Sequence, residues 1–507
     1  MVSYHLVILV HGLWGHFSNM DYIQKQIEEH IVASDPDEEV IVLKTGSHSG
    51  FLTYDGIDVN GKRVADEIMQ QYDNLTNADT KDKVTKFSVV GYSLGGLIAR
   101  YAIGVLYFQG FFDDIEPINF ITFCSPHVGV LTPGKGITTK LFNLFVPYFL
   151  AHSGSQMFLS DKKMDAHDNK DGLPLLVWMA EPQSFFFKAL SNFKYRSLYA
   201  NIVNDKRTCW FTSAISIMDP FKSMSNEDSS IYNLDYIPGY EPTVIDLDKP
   251  IVISRVKPTV DEPGVEINWL KNFFERKFNW IRFICTLVIY TPLWGCYFIM
   301  KSGFERVKLN RRVNSFFLDA SNNLLHLYTL VGDEAVAFAN DSILVEDNDI
   351  EYKAEKEKDK SEIDEDSQDS EAEDDEETRS ITSAQSMESF STPFTTKLSD
   401  QTDGLIQSVF DAMNSEKYKD FQYSVKSSSN SDKIIIEIEN TSAELALSDS
   451  QKLIVENLNS LDWAKFPVLI RNTKSTHAAA IVKIEDESYA EGKTVIKHFV
   501  NEVFKTS

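Results

Sequence analysis

Cysteine is scarce in this chain of 507 residues, and the motifs that usually signal a cofactor are missing. The four cysteines, Cys124, Cys209, Cys285 and Cys296, show no paired metal-ligand spacing and lie in apolar surroundings. We therefore expect reduced thiols in a protein that faces the cytosol. The sequence also contains no glycine-rich dinucleotide motif and no cluster of histidine and cysteine. These absences predict a protein that needs neither a metal nor a cofactor.

Positive charge is also in short supply, since 49 Lys and Arg face 75 Asp and Glu, a formal net charge of -26. Residues 346 to 377 hold 18 acidic residues and 4 lysines, a net of -14, so the remainder carries about -12. This balance argues against a nucleic-acid partner. The apolar opening at residues 5–10 (HLVILV) is too short for a signal peptide and runs directly into a motif, so we expect the protein on the cytosolic side.

Apolar residues, in contrast, are abundant at 43%, and the chain has 34 Phe. Short runs rich in branched residues predict strands at 5–10, 40–43, 87–90, 118–123 and 196–203. Helical patterns separate several of them, at about 18–32 and 61–72. Strands that alternate with helices predict right-handed crossovers and an α/β fold with a mostly parallel, doubly covered sheet.

The stretch from Lys86 to Ala102, KFSVVGYSLGGLIARYA, carries the strongest functional signal. An apolar strand leads into Gly91-Tyr92-Ser93-Leu94-Gly95, and a helix-forming segment follows at once. This is the pattern of a nucleophile elbow, in which serine occupies a strained turn and the flanking glycines avoid collisions with the strand and the helix. The pattern predicts Ser93 as a catalytic nucleophile, with the helix dipole directed at it.

The first predicted strand ends in His11-Gly12-Leu13-Trp14-Gly15, a loop that can turn a backbone N–H toward a substrate oxygen. We predict an oxyanion hole made by the amides of Leu13 and Leu94. His11 precedes the glycine of this loop and is interpreted as holding the loop in shape. Ser125 and His127 follow another strand, so they either touch substrate or form a structural turn.

Four segments together carry a family resemblance: VHGLWGH at 10–16, TYDGIDVNGKRVADEI at 53–68, GYSLGG at 91–96 and SPHVG at 125–129. The chain resembles a fungal family of serine esterases and lipases that includes a lipid-droplet phospholipase. The similarity covers residues 2–219 and resumes from about 447 to 500. It implies the α/β-hydrolase fold and cleavage of lipid acyl esters, with glycerophospholipids as the expected substrate.

A carboxylate that orients the catalytic histidine belongs in the loop after a late strand, and the expected chain order is Ser, Asp, His. Asp205 follows the strand at 196–203 and matches the family's position for this acid. Asp219 is the nearest alternative.

The general base belongs after the last strand and before the terminal helix. His477 follows a predicted strand at 468–471 and precedes a predicted helix at 491–504. His498 is the alternative, but it lies inside that helix at core-like spacing. With His477 as the base, residues 220–446 are one long insertion between the acid and the base.

Residues 140–159 are very apolar and are interrupted by Pro147 and Gly154, in the position where lipases insert a lid. Two interpretations stay open: a mobile cap that meets acyl chains, or a buried cap helix that never moves.

Residues 283–300 are eighteen uncharged residues with basic flanks on both sides, just long enough to span a membrane. Pro292, Gly295 and scattered aromatics favour a hairpin or interfacial helix in one leaflet, or in the monolayer of a lipid droplet, over a span or a buried core helix. The acidic and Ser/Thr-rich residues 346–400 predict a disordered linker.

The predicted organisation has four parts: residues 1–219 begin the hydrolase core, 220–345 form an insertion with a membrane-associating segment at 280–301, 346–400 are the linker, and 401–507 complete the core. The predicted function is a serine acyl hydrolase acting on lipids at a lipid droplet or at the cytosolic face of a membrane such as the endoplasmic reticulum. A neutral glyceride lipase, an acyltransferase and a non-enzymatic lipid-surface tether are the alternatives.

Overall fold

The computed structural model describes residues 2–33, 37–76, 82–134, 136–161, 173–205, 207–221, 230–249, 252–256, 308–316, 435–439, 443–473 and 475–507. Contacts divide the chain into two units, Met1–Tyr328 with Val409–Ser507, and Thr329–Ser408. Every described residue belongs to the first unit. The predicted apolar segment at 283–300 and the predicted linker lie outside the described residues.

Within the described residues, eleven strands are numbered in chain order: β1 Ser3–Val10, β2 Glu38–Lys44, β3 Lys83–Tyr92, β4 Glu116–Phe123, β5 Tyr195–Asn201, β6 Met218–Asp219, β7 Ser230–Asn233, β8 Val252–Val256, β9 Ile435–Glu439, β10 Ala443–Glu444 and β11 Ala464–Val468. Six of them form one sheet in the order β11-β5-β4-β3-β1-β2, and all neighbours are parallel. The short strands pair antiparallel, β6 with β10 and β8 with both β7 and β9.

The helices of the described stretches are α1 Asp21–His30, α2 Ile57–Leu75, α3 Leu94–Phe108, α4 Ile137–Phe149, α5 Ala151–Met157, α6 Leu175–Trp178, α7 Phe185–Asn192, α8 Trp210–Ser213, α9 at 308–316, α10 Asp449–Leu458, α11 Thr476–Ala479 and α12 Ala490–His498. The last continues as a π-helix over Phe499–Val503. Single 3-10 turns lie at Phe17–Met20, Gly50–Tyr54 and Glu487–Tyr489.

Both faces of the large sheet are covered, which explains why its strands are apolar at successive positions. Along β1, Leu6 and Ile8 pack into a cluster with α2, α3, α7 and α10. The alternate residues Val7 and Leu9 pack into a second cluster with α1, α11 and α12. The prediction of an α/β-hydrolase type of fold, with a mostly parallel and doubly covered sheet, is confirmed.

The strand order reverses direction between β1 and β3, because β2 lies on one side of this pair and β4, β5 and β11 lie on the other. A crevice forms at such a switch point, outside the carboxyl ends of the strands. Val10 at the end of β1 is in register with Gly91 near the end of β3. The loops that follow these two strands therefore leave the sheet side by side.

The last strand of the large sheet lies earlier in the chain than predicted. The apolar run at 468–471 predicts the strand there, whereas β11 covers Ala464–Val468 and includes Pro467. Within the large sheet β11 pairs with β5 alone, and an edge strand tolerates a proline because no ladder N–H is needed on its outer side.

Two described parts of the predicted insertion are attached to the hydrolase core. The Ile245 amide donates to the Pro467 carbonyl at 3.0 Å, and the Leu469 amide donates to the Thr243 carbonyl at 2.9 Å, so this segment covers the edge of β11. From α9, Arg312 forms an ion pair of 2.7 Å with the buried carboxylate of Asp55. The insertion therefore contributes to the core, and its described helices include none long and apolar enough to cross a membrane.

The predicted lid-like segment at 140–159 contains most of α4 and all of α5, with Pro147 inside α4. Ala151, at the junction of the two helices, has a positive φ of 53°. The chain thus turns sharply between an outer helix, α4, and an inner helix, α5.

Candidate active site

Ser93 lies at the sharp turn between β3 and α3, with φ 54° and ψ -128°. A residue with a side chain is strained in this region of backbone space. A Cβ atom added to Gly95 would lie 2.2 Å from the Val10 carbonyl oxygen, and one added to Gly91 would lie 2.5 Å from the Gly96 Cα. Only glycine fits at both positions, so the turn has the packing that the sequence predicts for a nucleophile elbow.

His477 lies in the first turn of α11, and its Nε2 is 2.9 Å from Ser93 Oγ. The imidazole is 5% exposed, and its ring centroid is 5.1 Å from that of Tyr92. The Tyr92 hydroxyl also donates to the His477 carbonyl at 3.3 Å. The residue that precedes the serine in the elbow therefore supports the helix that carries the histidine.

Asp205 lies in the loop after β5, and its Oδ2 is 2.8 Å from His477 Nδ1. Its other oxygen, Oδ1, accepts hydrogen bonds from the amides of Arg207 and Thr208 at 3.1 and 2.9 Å. The Asn201 amide group and the Thr208 hydroxyl each donate to Oδ2 at 3.1 Å. The carboxylate is thus held in one orientation with its lone pair toward the histidine.

The environment of Asp205 keeps the carboxyl group ionised. Burial alone raises the pKa of Asp205. The charge and hydrogen bond of His477, together with hydrogen bonds from Thr208 and Asn201, outweigh burial and lower this pKa to about 2. An anion at this position favours the histidine tautomer that carries its proton on Nδ1. Nε2 of His477 is then the acceptor for the Ser93 hydroxyl proton.

Cys124 lies beside this pair, because its sulfur, an Asp205 oxygen and a His477 nitrogen are all within 4.8 Å of one another. Sulfur, carboxylate and imidazole form a donor set that zinc accepts. Burial, followed by the Asp205 charge, raises the pKa of the Cys124 thiol well above its usual value, which disfavours the thiolate that a metal requires. Asp205 and His477 are also already bonded to each other, so these residues suit a hydrogen-bonded triad better than a metal site.

The loop at 11–15 packs against Ser93. A Cβ atom added to Gly12 would lie 2.7 Å from Ser93 Cβ and 3.3 Å from Ser93 Oγ. The amide of Trp14 donates to Thr53 Oγ1 at 3.1 Å, and that of Gly15 donates to the Gly12 carbonyl at 3.0 Å. Leu13 lies in the chain between Gly12, which packs against Ser93, and these two engaged amides.

His11 supports this loop, as the sequence interpretation proposes. Its ring stacks on that of His48 at 3.9 Å between centroids, and His48 Nε2 is 3.1 Å from the His11 carbonyl oxygen. Burial, together with the neighbouring His48, lowers the pKa of His11 well below its usual value. A neutral, fully buried imidazole fixed in this way shapes the loop.

The two alternative triad residues lie elsewhere. Asp219 is in β6, where its Oδ1 accepts a hydrogen bond from the Phe221 amide at 2.9 Å. His498 is buried in α12, with Nδ1 2.8 Å from the Tyr199 hydroxyl, and burial lowers its pKa to about 4. Neither residue is among the hydrogen-bond partners described for Ser93 or His477.

Ser125 and His127 are both buried and take part in the turn after β4. His127 Nε2 is 2.9 Å from Thr122 Oγ1, and the Ser125 side chain packs against Gly96, whose added Cβ would lie 2.1 Å from Ser125 Oγ. The buried guanidinium of Arg100 on α3 donates to the His127 carbonyl at 3.3 Å and to the Met179 carbonyl at 3.0 Å. These contacts favour the structural interpretation of the turn.

Asn201, Thr208 and Arg100 support the site and are missing from the sequence prediction. Thr208 could have been found from the sequence, because an Asp followed three residues later by Thr commonly forms a turn capped by side-chain hydrogen bonds. Arg100 has no such signal, since its partners, the carbonyls of His127 and Met179, are distant in the chain and become neighbours only in the fold. Asn201 lies only four residues before Asp205, but no turn motif marks an asparagine at this spacing.

Comparisons with known proteins agree with the motifs. Residues 2–216 match the family described as "Putative serine esterase (DUF676)". This match confirms the resemblance to a serine esterase and lipase family that the sequence predicts.

Curated relatives from two yeasts carry lipase names. The chain is 28% identical over 278 residues to "Putative lipase ROG1" of Saccharomyces cerevisiae, covering 54% of this chain and 34% of that protein. It is 31% identical over 219 residues to "Putative lipase YDL109C" of the same yeast, covering 42% of this chain and 31% of that protein. It is 27% identical to "Putative lipase C4A8.10" of Schizosaccharomyces pombe, covering 42% of this chain and 26% of that protein. The chain thus spans about a third or less of these relatives.

Solved structures similar to the chain include an extracellular α/β-hydrolase from a Paenibacillus species, with 16% identity over 28% of this chain and 51% of that one, and a TM-score of 0.18. Another is the peroxisomal α/β-hydrolase Lpx1 of Saccharomyces cerevisiae, with 13% identity over 39% of this chain and 62% of that one, and a TM-score of 0.21. The fold assignment itself rests on the strand order and the elbow.

Replacing Gly12 by Ala tests whether the loop must lie against Ser93. The added methyl group would sit 2.7 Å from Ser93 Cβ and 2.9 Å from the Tyr92 carbonyl oxygen, so loop and elbow must move apart. We expect the rate at which a fluorophosphonate labels the protein to fall by at least about 10²-fold, the loss typical for one oxyanion-hole donor.

Gly46→Ala is the matched control, because the nearest atom to its added Cβ is 3.8 Å away. Its labelling rate should stay within about twofold of that of the unmodified protein. Equal rates for the two variants would contradict the placement of the loop.

Proposed function

We propose that this chain, whose residues 2–216 match a serine esterase family, is a serine acyl hydrolase that cleaves fatty-acyl esters of glycerophospholipids at a membrane or lipid-droplet surface. The observation that carries the proposal is the continuous hydrogen-bonded line from Ser93 Oγ through His477 to Asp205, with distances of 2.9 and 2.8 Å. Nucleophile, base and orienting acid in this geometry perform acyl transfer on several unrelated folds.

In the proposed first step, Ser93 Oγ attacks the ester carbonyl carbon while His477 Nε2 accepts the hydroxyl proton. The ionised Asp205 stabilises the imidazolium that forms and keeps the ring in place. Collapse of the tetrahedral intermediate breaks the bond to the alcohol oxygen, which leaves with the proton from His477. The acyl group is then bonded to Ser93.

In the second step a water molecule attacks the acyl-enzyme. His477 accepts one water proton and returns it to Ser93 Oγ as the fatty acid departs, so the enzyme regains its starting state. This sequence consumes one water for each ester, and its bond-making and proton-transfer steps use the side chains of Ser93 and His477.

The amides of Leu13 and Leu94 are proposed to bind the oxyanion of both tetrahedral intermediates. Leu94 is the first residue of α3, so its N–H has no partner within the helix and lies at the positive end of the helix dipole. Leu13 comes from the loop whose Gly12 packs against Ser93. Two backbone donors held by packed elements are preorganised for charge that develops on the substrate oxygen.

The lipid part of the proposal draws on different features. The curated relatives named above carry lipase names, and residues 283–300 are an uncharged run with basic flanks on both sides. A hairpin or interfacial helix of this composition holds a protein in one leaflet. We propose a lipid droplet, or the cytosolic face of a membrane such as the endoplasmic reticulum, as the location.

Replacing Asp205 by Asn tests the proposed role of the carboxylate. An amide has no charge to stabilise the imidazolium and can fix the wrong tautomer of His477, so we expect kcat for a soluble short-chain ester to fall about 10³- to 10⁴-fold. Thermal unfolding of each variant checks that the fold persists. Asp219→Asn should leave kcat within about twofold, and a larger loss in this variant than in Asp205→Asn would overturn the assignment.

Replacing Ser93 by Ala tests the nucleophile and the substrate class together. The unmodified protein should react with a fluorophosphonate and release fatty acid from phosphatidylcholine dispersions faster than from triglyceride dispersions. The variant should lose both activities, even though Ser125 is still present, because the reactive oxygen is gone.

Faster release from triglyceride would replace the phospholipid assignment with a neutral glyceride lipase. Transfer of the acyl chain to a lipid alcohol in preference to water would indicate an acyltransferase. A folded protein that does not react with the probe, even with lipid present, would favour a lipid-surface tether.

Deleting residues 280–301 tests the proposed anchor. Without the apolar segment, a larger fraction of the protein should appear in the soluble fraction after cell lysis and centrifugation. Deleting residues 375–396, an equal length of the predicted linker, is the control and should leave the distribution unchanged. Equal retention of both deletion variants on membranes and droplets would rule out the segment as the anchor.

A further inference from the structure

Helix α4 has two apolar sides, and in the described part of the chain only one of them packs against the core. On the inner side Phe142 is buried, at 9% exposure, and its ring centroid lies 5.8 Å from that of Phe158. Val146 and Leu150, one and two turns further on, also pack against the core. A helix that is apolar all round normally needs cover on all sides.

The other side of α4 is exposed to solvent. We call it the outer face; its five large apolar side chains are exposed to between 40% and 68%, with Leu141 at 45%, Leu144 at 68%, Phe145 at 54%, Tyr148 at 58% and Phe149 at 40%. Single exposed apolar residues are ordinary, but a contiguous group on one helix marks an interaction site.

The charge of this region is unusual for the chain. Residues 136–159 contain no Asp or Glu, although the whole sequence has 75, and Lys140 is their only Lys or Arg. Tyr148 adds an aromatic ring with a polar tip, a side chain suited to the boundary between headgroups and acyl chains. A face without carboxylates is not repelled by lipid phosphates. Its aliphatic and aromatic groups need no hydrogen-bond partners when they enter an apolar layer.

The outer face is rigidly connected to the catalytic edge of the sheet. Asn143 of α4 exchanges two hydrogen bonds of 3.0 Å with the backbone of Thr132, which follows the turn after β4. In α5, the Ser153 hydroxyl donates to the Thr53 carbonyl at 2.5 Å. Thr53 Oγ1 in turn accepts the Trp14 amide of the loop beside Ser93. The helix pair is therefore tied to the same loops that surround the nucleophile.

We propose that the outer face of α4 is a fixed docking surface for a phospholipid layer. Its five side chains insert at the boundary between headgroups and acyl chains, while the inner side and α5 keep the helix on the core, so that a lipid leaving the layer enters beside Ser93. This inference rests on the proposed lipid substrate, but it concerns binding and requires no catalysis. It also adds a second contact with the lipid surface, separate from residues 283–300.

The direct test places an environment-sensitive fluorophore on the outer face of the full chain. In a background with Cys209, Cys285 and Cys296 replaced by Ser, Leu144→Cys is labelled with nitrobenzoxadiazole and mixed with phosphatidylcholine vesicles. We expect the emission to shift to shorter wavelength and to increase severalfold as the label leaves water. The matched control is Leu453→Cys on α10, 38% exposed, whose emission should not change.

Three other outcomes of this test contradict the proposal. Unchanged emission at position 144 would show that the outer face stays in water. Equal changes at both positions would indicate general adsorption, and a change that follows protein concentration without vesicles would show that a second copy covers the face. If the emission changes only at position 144 but the protein does not react with fluorophosphonate, the proposed hydrolase activity is wrong and the docking surface is still supported.

A second experiment measures the consequence for the proposed reaction. In the variant Leu144→Ser, Phe145→Ser, Tyr148→Ser, kcat/KM should fall at least about tenfold for phosphatidylcholine vesicles, because burial of three large apolar groups is lost. The value for a soluble short-chain ester should stay within about twofold. An equal loss on both substrates would mean that the substitutions disturb the core, and no loss on vesicles would mean that another surface docks.

Discussion

The hydrogen bond between His477 Nε2 and Ser93 Oγ joins residues 384 positions apart in the chain, and the rest of the architecture keeps them together. For this bond to form, β11 must add to the sheet beside β5, so that the C-terminal loops arrive at the same edge as the elbow. The C-terminal tail is held by the same sheet, since the Asn119 side chain donates to the Lys505 carbonyl at 2.6 Å and Lys86 Nζ donates to the Thr506 carbonyl at 2.8 Å. Because loop-closure entropy grows slowly with length, the 272 positions between Asp205 and His477 add little to the free-energy cost of bringing the two residues together.

A buried carboxylate is the second constraint. Taking Asp205 out of water is unfavourable, and four local hydrogen-bond donors together with His477 compensate for the lost hydration. The charge and hydrogen bond of His477, with the hydrogen bonds from the Thr208 amide and the Asn201 side chain, lower the pKa of Asp205 to about 2. Because this pKa lies below the value of about 3.9 for an unfolded Asp, the ionised form stabilises the fold above about pH 4. That contribution is lost as the pH falls toward 2. The same donors direct the carboxylate toward Nδ1 of His477, so the interactions that stabilise the anion also orient the imidazole.

The sequence predicts the sheet, the elbow and the three residues that the structure brings together, because each follows from a local pattern: an apolar run, a glycine-flanked serine, or a polar residue at the end of a strand. It misses what depends on contacts between distant segments. The position of β11 at 464–468 follows from pairing with β5 and from an edge that accepts Pro467. No local sequence pattern predicts the ion pair between Arg312 and Asp55, because the two residues are distant in the chain. The same holds for the hydrogen bond from Arg100 to the His127 carbonyl. The sequence marks α4 as apolar but leaves open which of its sides the core covers.

The central claim is that two ends of one chain build a preorganised acyl-transfer site around Ser93. A crystal structure of the adduct with a lipid-like fluorophosphonate tests it most directly, because the phosphonate mimics the tetrahedral intermediate. The account predicts phosphorus bonded to Ser93 Oγ, with its free oxygen about 2.7 to 3.1 Å from the amide nitrogens of both Leu13 and Leu94. His477 Nε2 should lie within hydrogen-bond distance of the oxygen that bonds to phosphorus. An adduct on another residue, or a free oxygen directed away from both amides, would contradict the account.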